Sequence, residues 1–124
     1  MNKHKDNSVV VFGGSGFLGS YTADELSRHG FNVTIYDINE SKYLRDDQNM
    51  VIGDVLDNEK VHNVIKDSNI VYNFSGIADI KDASSDPLKT IEYNIIGNSI
   101  ILQACSKYKI SRFIFASSMY VYSR

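Results

Sequence analysis

The feature that most constrains this chain is a glycine-rich turn, Gly13-Gly14-Ser15-Gly16-Phe17-Leu18-Gly19, set between two segments of different periodicity. Before it runs Ser8 to Phe12 (SVVVF), a continuous β-branched stretch of the kind that forms a strand buried on both faces. After it, Phe17 to His29 has helical spacing. Phe17, Leu18, Tyr21 and Leu26 fall on one side, and Gly30 is placed to end the helix as a left-handed cap. A strand that turns straight into a helix presents the helix's first N–H groups, and these with the helix dipole favour an anion. The glycines recur as G-x-x-G-x-x-G. Gly13 is expected to permit the tight exit from the strand, Gly16 to let a pyrophosphate approach the backbone, and Gly19 to let the helix pack closely on the sheet.

The same alternation continues along the chain. Phe31 to Tyr36 (FNVTIY) and Gln48 to Ile52 (QNMVI) read as the second and third strands. Asp57 to Lys66 fits a helix capped by Asp57, with Val61, Val64 and Ile65 inward. Asn69 to Phe74 is a fourth strand. Asp86-Pro87 is a helix start, a capping acid followed by proline at the first helical position. A stripe of Leu88, Ile91, Ile95, Leu102 and Cys105 carries that helix to about Tyr108, and Arg112 to Ser117 is a fifth strand. Strands alternating with helices imply a parallel sheet covered on both faces. Right-handed crossovers make it a doubly wound, Rossmann-type α/β sheet of order 3-2-1-4-5 with an incomplete second half. The 124 residues suffice for one domain, spanning 1–124, near the short end of the usual range.

Four further segments fall at the carboxyl ends of strands, where such folds place their ligands. Asp37 closes TIYD, where a carboxylate can accept hydrogen bonds from both adenosine ribose hydroxyls and repel a 2′-phosphate, which favours NAD over NADP. Asp54 and Val55 follow the third strand. Asp54 suits an adenine amino group, with Val55 offering backbone polar groups, and an ordinary turn aspartate fits equally well. Phe74, Ser75 and Gly76 close the fourth strand, and the small residues at 75 and 76 let a cofactor lie against the backbone, or form an ordinary strand-end turn. Ser117 and Ser118 follow the fifth strand, where hydroxyls serve either a turn or chemistry.

Composition excludes several other classes. The apolar share of 43% and charged share of 23% are those of a globular chain, not a disordered or collagen-like one. No window has the ~18 uninterrupted apolar residues of a membrane span, and the polar start MNKHKDN has no signal-peptide core. One cysteine, Cys105, allows no internal disulfide and suits a cytoplasmic setting. It reads as a small buried apolar residue. A net charge of −2 without a basic run argues against nucleic acid as partner. His4, His29 and His62 are scattered, so no metal site is expected. The acids Asp46-Asp47 and Asp79 to Asp82 read as solvated loops, and Asn39-Glu40-Ser41 and Asn73-Phe74-Ser75 as chance glycosylation patterns.

Taken in order, GGSGFLG, TIYD, GDVLD, VYNFSG, IEYNIIGN and FASSMYVY resemble the N-terminal part of an extended short-chain dehydrogenase/reductase. Within that superfamily the chain is most similar to the NAD-dependent epimerase/dehydratase group. The resemblance covers Ser8 to Tyr122. It implies that Gly13, Gly16, Phe17, Leu18 and Gly19 form the dinucleotide turn, Asp37 holds the ribose, and Asp54 with Val55 meets the adenine. It further implies that Phe74, Ser75 and Gly76 lie along the cofactor and that Asn94 helps order it. Ser118, in the place of the catalytic hydroxyl of S-S-x-x-V-Y-G, would hydrogen-bond the sugar oxygen, with Ser117 as runner-up. The substrate implied is a sugar nucleotide and the assembly a homodimer built on long helices.

Some of the pattern departs from the group. Its Tyr-x-x-x-Lys pair, which moves the proton and holds the nicotinamide ribose, lies beyond the fifth strand on the next helix. Tyr120 and Arg124 have that separation but not that place, and arginine is a poor substitute for a compact lysine charge. Ser123 stands where V-Y-G has glycine, and Met119 is larger than usual. The expectation is therefore the N-terminal part of a longer enzyme, inactive by itself. A reductase of a non-sugar carbonyl and a non-catalytic NAD sensor are the alternatives; the serine-rich strand end favours an enzyme.

Overall fold

The computed structural model describes residues 7–122; His4, Ser123 and Arg124 lie outside the described residues. Five strands, β1 (Ser8–Phe12), β2 (Asn32–Asp37), β3 (Gln48–Ile52), β4 (Ile70–Asn73) and β5 (Arg112–Phe115), form one sheet. The order is β3-β2-β1-β4-β5 and every neighbouring pair is parallel. This is the doubly wound order expected from the sequence. β2 is shifted by one residue, while β4 and β5 are shorter than expected.

The side chains of β1 alternate between two cores, as the pleat requires. Val9 and Val11 pack with Val33, Ile35 and Ala23 beneath helix α1 (Phe17–Arg28). Val10 and Phe12 pack on the other face with Tyr36 and Val71, against helices α2 (Asn58–Ile65) and α5 (Asn98–Lys107). β1 is thus buried on both sides, which is why its sequence shows no polar alternation. Asp57 caps α2 by accepting from the Lys60 N–H at 3.0 Å, and Val61 and Ile65 are fully buried.

Three expectations need correcting. In α1 the buried face is Gly19, Ser20, Ala23 and Ser27, whereas Phe17, Leu18 and Tyr21 are exposed. Small residues let the helix axis approach the sheet, and that close approach outweighs the burial of larger side chains at this position. The Phe17 and Tyr21 rings meet edge-on at 5.2 Å instead of entering the core. Second, Asp82 lies in a short helix, α3 (Ile80–Ser85), and not in a loop; Asp79, at the end of the preceding loop, caps it by accepting from the Lys81 N–H at 2.7 Å, and both acids are exposed as expected.

Third, the long helix is not uniform. Asp86 and Pro87 start it as expected, with Asp86 accepting from the Lys89 N–H at 3.0 Å. After α4 (Pro87–Ile91) it widens into a π-helical segment, Glu92–Gly97, before continuing as α5. The buried side is Gly97, Ile101, Ala104 and Cys105, while Leu88, Ile91, Ile95 and Leu102 are exposed. A stripe drawn on an unbroken 3.6-residue period cannot follow a helix that changes pitch. No helix among the described residues is long and apolar enough to cross a membrane.

Candidate functional site

The strand-end turns converge at the carboxyl edge of the sheet on a cavity of about 610 Å³. Gly13, Gly16, Asp37, Val55, Phe74, Ser75 and Gly76 line it, seven of the residues singled out from the sequence. Ile38, Asn39, Gly53, Ile77 and Tyr93 complete the wall, with Asp82, Ser85, Asp86 and Lys89 from α3 and α4 at one side. Phe17, Leu18, Gly19, Asp54, Asn94 and Ser118 are not part of the lining.

The glycine turn has the form its spacing implied. Gly13 has φ +70°, in the left-handed region, and a Cβ there would lie 2.7 Å from the backbone of Phe74 and Ser75. The turn is therefore pressed against the end of β4 as well as turned sharply. A Cβ on Gly19 would collide with the Gly13 carbonyl oxygen and approach the Gly14 Cα to 2.7 Å. The close approach at Gly19 is thus to the turn itself, the local reason the helix can start so near the strand. At Gly16 a Cβ would meet only the Gly13 oxygen, at 3.4 Å, so the backbone stands open to the cavity. No side chain caps the first turn of α1. Uncapped N–H groups beside an open backbone form a cradle that fits a phosphate or pyrophosphate.

Asp37 stands at the end of β2 and braces the turn. Its Oδ2 accepts from the Ser15 N–H at 3.0 Å and its Oδ1 from the Asn39 N–H at 3.1 Å. A carboxylate so held still has lone pairs to offer.

The turn after β3 is tied to the rest by two tyrosines. Tyr36, fully buried, donates its hydroxyl to the Asp54 carbonyl at 2.7 Å. Burial, with the charges of Asp57 and Asp54, pushes this phenol up to about 12. The Asp54 carboxylate accepts from the Leu56 N–H on Oδ1 at 2.9 Å and from the Tyr93 hydroxyl on Oδ2 at 2.8 Å. The hydrogen bond to Asp54 is the main reason the Tyr93 phenol titrates above its ordinary value. Asp54 is thus both a turn residue and a poised acceptor.

Asn94 clasps the turn after β4, accepting from the Ile77 N–H at 2.7 Å and donating to the Ile77 carbonyl at 2.9 Å. It acts on the cavity wall through Ile77 instead of lining the cavity. Asn73, only 1% exposed, accepts from the Ser75 N–H at 2.9 Å and donates to Asn98 Oδ1 at 2.9 Å. Sequence reading passed over Asn73, Tyr93 and Asn98. The signal for Asn73 was available: a polar side chain at the end of a buried strand must find partners.

Ser118 lies beyond β5, at the same edge of the sheet but exposed. Its hydroxyl accepts from the Tyr120 N–H at 3.2 Å and opens the single 3₁₀ turn Met119–Tyr122. Cys105 is buried, and desolvation pushes its thiol up to about 11. Among the described residues no group of three or more His, Cys, Asp or Glu side chains is gathered as metal ligands would be.

The model of the NAD dependent epimerase/dehydratase family matches residues 9–124. The chain belongs to this family. Among its epimerase/dehydratase relatives, UDP-glucose 4-epimerase of Bacillus subtilis is 30% identical over 127 residues, covering 93% of this chain and 38% of that protein. UDP-N-acetyl-alpha-D-glucosaminuronate decarboxylase of Bacillus cytotoxicus is 33% identical over 121 residues, covering 93% and 37%. The crystal structure of UDP-glucose 4-epimerase from Brucella ovis in complex with NAD superimposes with a TM-score of 0.88 at 30% identity, covering 95% of this chain and 38% of that one. The chain therefore spans about 38% of the length of these epimerase/dehydratase relatives.

Proposed function

We propose that residues 1–124 form the NAD-binding unit of a sugar-nucleotide epimerase or dehydratase. The observation that carries this reading is the convergence of an open glycine turn, an uncapped helix start and the Asp37 carboxylate on one cavity. A dinucleotide needs those three features together: donors for its pyrophosphate, room beside the backbone and an acceptor for its ribose. Family membership and an NAD-bound neighbour of the same fold support the choice of cofactor. The relatives' names, which concern UDP-glucose and a UDP-linked aminosugar acid, support a sugar nucleotide as substrate.

When bound, NAD supplies hydride exchange with a sugar carbon. The chain's own part is to hold and orient. The N–H groups of Phe17 to Gly19, beside the open backbone of Gly16, would hold the pyrophosphate, Asp37 would accept from the ribose, and Asp54 with Val55 would meet the adenine. Phe74 with the small residues Ser75 and Gly76 would form a wall along the cofactor, and Asn94 holds the turn that follows through Ile77. Ser118 orients the sugar oxygen beside the reacting carbon.

Calorimetric titration of the chain with NAD and with NADP tests the cofactor assignment. Saturable binding of NAD, with NADP at least about tenfold weaker, is expected from a carboxylate facing the 2′ position. Equal affinities, or no NAD binding, would overturn it.

A further inference from the structure

The helix that begins at Pro87 presents two ridges to the strand-end turns around the cavity, each an i, i+4 pair. Asn94 and Asn98 reach the turn after β4, at Ile77 and Asn73. Tyr93 and Gly97 reach the turn after β3. Tyr93 donates to Asp54, and the Gly97 backbone lies so close to Val55 that a Cβ there would stand 2.7 Å from Val55 Cγ2. All four residues fall in or directly after the π-helical segment. Such segments interrupt otherwise regular helices frequently at functional sites.

We propose that Tyr93 is a positioning residue for adenine recognition, its hydroxyl fixing the plane of the Asp54 carboxylate, which sits between the cavity-lining residues Gly53 and Val55. The proposal rests on the reading of the cavity as a dinucleotide site and adds a specificity device to it. Two donors hold Asp54, the Leu56 N–H on one oxygen and Tyr93 on the other, so the carboxylate cannot rotate without losing one of them. Each carboxylate oxygen has a second lone-pair direction, which leaves room for one more donor. The exocyclic amino group of adenine is such a donor. Hypoxanthine presents a carbonyl oxygen at the same position, which a fixed carboxylate repels. Tyr93 is itself part of the cavity wall, so its hydroxyl acts at the ligand's border. Phenylalanine at this position would keep the ring and leave Asp54 Oδ2 without its Tyr93 donor.

The test compares NAD with nicotinamide hypoxanthine dinucleotide, by calorimetry, in the wild-type chain, Tyr93→Phe, Asp54→Ala and the double variant. The wild type should prefer NAD. Tyr93→Phe should lose about three- to tenfold of that preference, the worth of one oriented hydrogen bond, with little change in melting temperature. Asp54→Ala should lose at least as much, and the double variant no more than Asp54→Ala. A preference unchanged in Tyr93→Phe would overturn the proposal while leaving the dinucleotide site intact. A merely structural tyrosine would lower the melting temperature and weaken both ligands equally, which also overturns it. If the wild type bound neither dinucleotide, the reading beneath the proposal would fall with it.

Discussion

Replacing Asp37 by alanine separates two jobs that one carboxylate performs. Within the protein it accepts from the Ser15 and Asn39 N–H groups at 3.0 and 3.1 Å. The first is part-buried and the second exposed, so water can replace the carboxylate in the variant, and the loss of stability should be about 1 kcal/mol. The ligand side is larger. Two ribose hydroxyls lose a charged acceptor, at about 1.5 kcal/mol each for the weaker end of such bonds, or roughly a hundredfold in NAD affinity. NADP should behave differently. A phosphate about 4 Å from a carboxylate is repelled by several kcal/mol at the effective dielectric of a protein surface. Removing the carboxylate relieves that repulsion, so NADP affinity should hold or improve. Calorimetry on the wild type and Asp37→Ala with both dinucleotides reads the ratio. Loosening of the glycine turn alone would weaken both equally, because they share the pyrophosphate. A ratio within twofold of the wild type would refute the ribose assignment.

Other outcomes follow from the same geometry. Gly19→Ala places a methyl group against the Gly13 carbonyl and 2.7 Å from Gly14 Cα, both backbone atoms that cannot rotate away. A loss of about 1–3 kcal/mol on thermal unfolding is expected, together with weaker NAD binding; an unchanged melting temperature would contradict it. Cys105, with its thiol pushed from 9.0 up to about 11 by burial, should resist iodoacetamide at pH 8 when native and react in urea. The same shift predicts stability that is full below pH 9 and falls as the pH rises from 9 toward 11, because only the unfolded thiol ionises in that window. Urea melts across pH 8 to 11 would show it, and Cys105→Ala should flatten the slope. In the longer protein proposed above, Ser118→Ala should cut turnover strongly while NAD affinity changes little; unchanged turnover would remove Ser118 from the mechanism.

What was legible in the sequence was whatever depends on backbone pattern. The Asp57 and Asp86 caps follow from local rules, because each cap's partner lies within a few positions, and the strand order follows from the alternation of strands and helices with right-handed crossovers. The convergence of Gly13, Asp37, Val55 and Ser75 on one cavity followed from parallel topology, which brings the carboxyl ends of the strands to one edge. What was missed depends on pitch and side-chain size. The inward face of α1 is made of Gly19, Ser20, Ala23 and Ser27, residues that carry almost no hydrophobic signal. The π segment, Glu92–Gly97, interrupts the regular period on which the helical stripe was drawn. The Tyr93–Asp54 and Asn73–Asn98 contacts join residues 39 and 25 positions apart, and no local rule pairs such residues.

The central claim is that the cavity at the carboxyl edge of the sheet is the dinucleotide site. Amide chemical-shift mapping of the ¹⁵N-labelled chain during titration with NAD tests it most directly. The account predicts saturable shifts concentrated at residues 13–19, Asp37, residues 53–56 and residues 74–77, with the outer helix surfaces silent. Shifts centred elsewhere, for instance on the exposed Leu88, Ile91 and Ile95 surface, or no saturable shift at millimolar NAD, would contradict it.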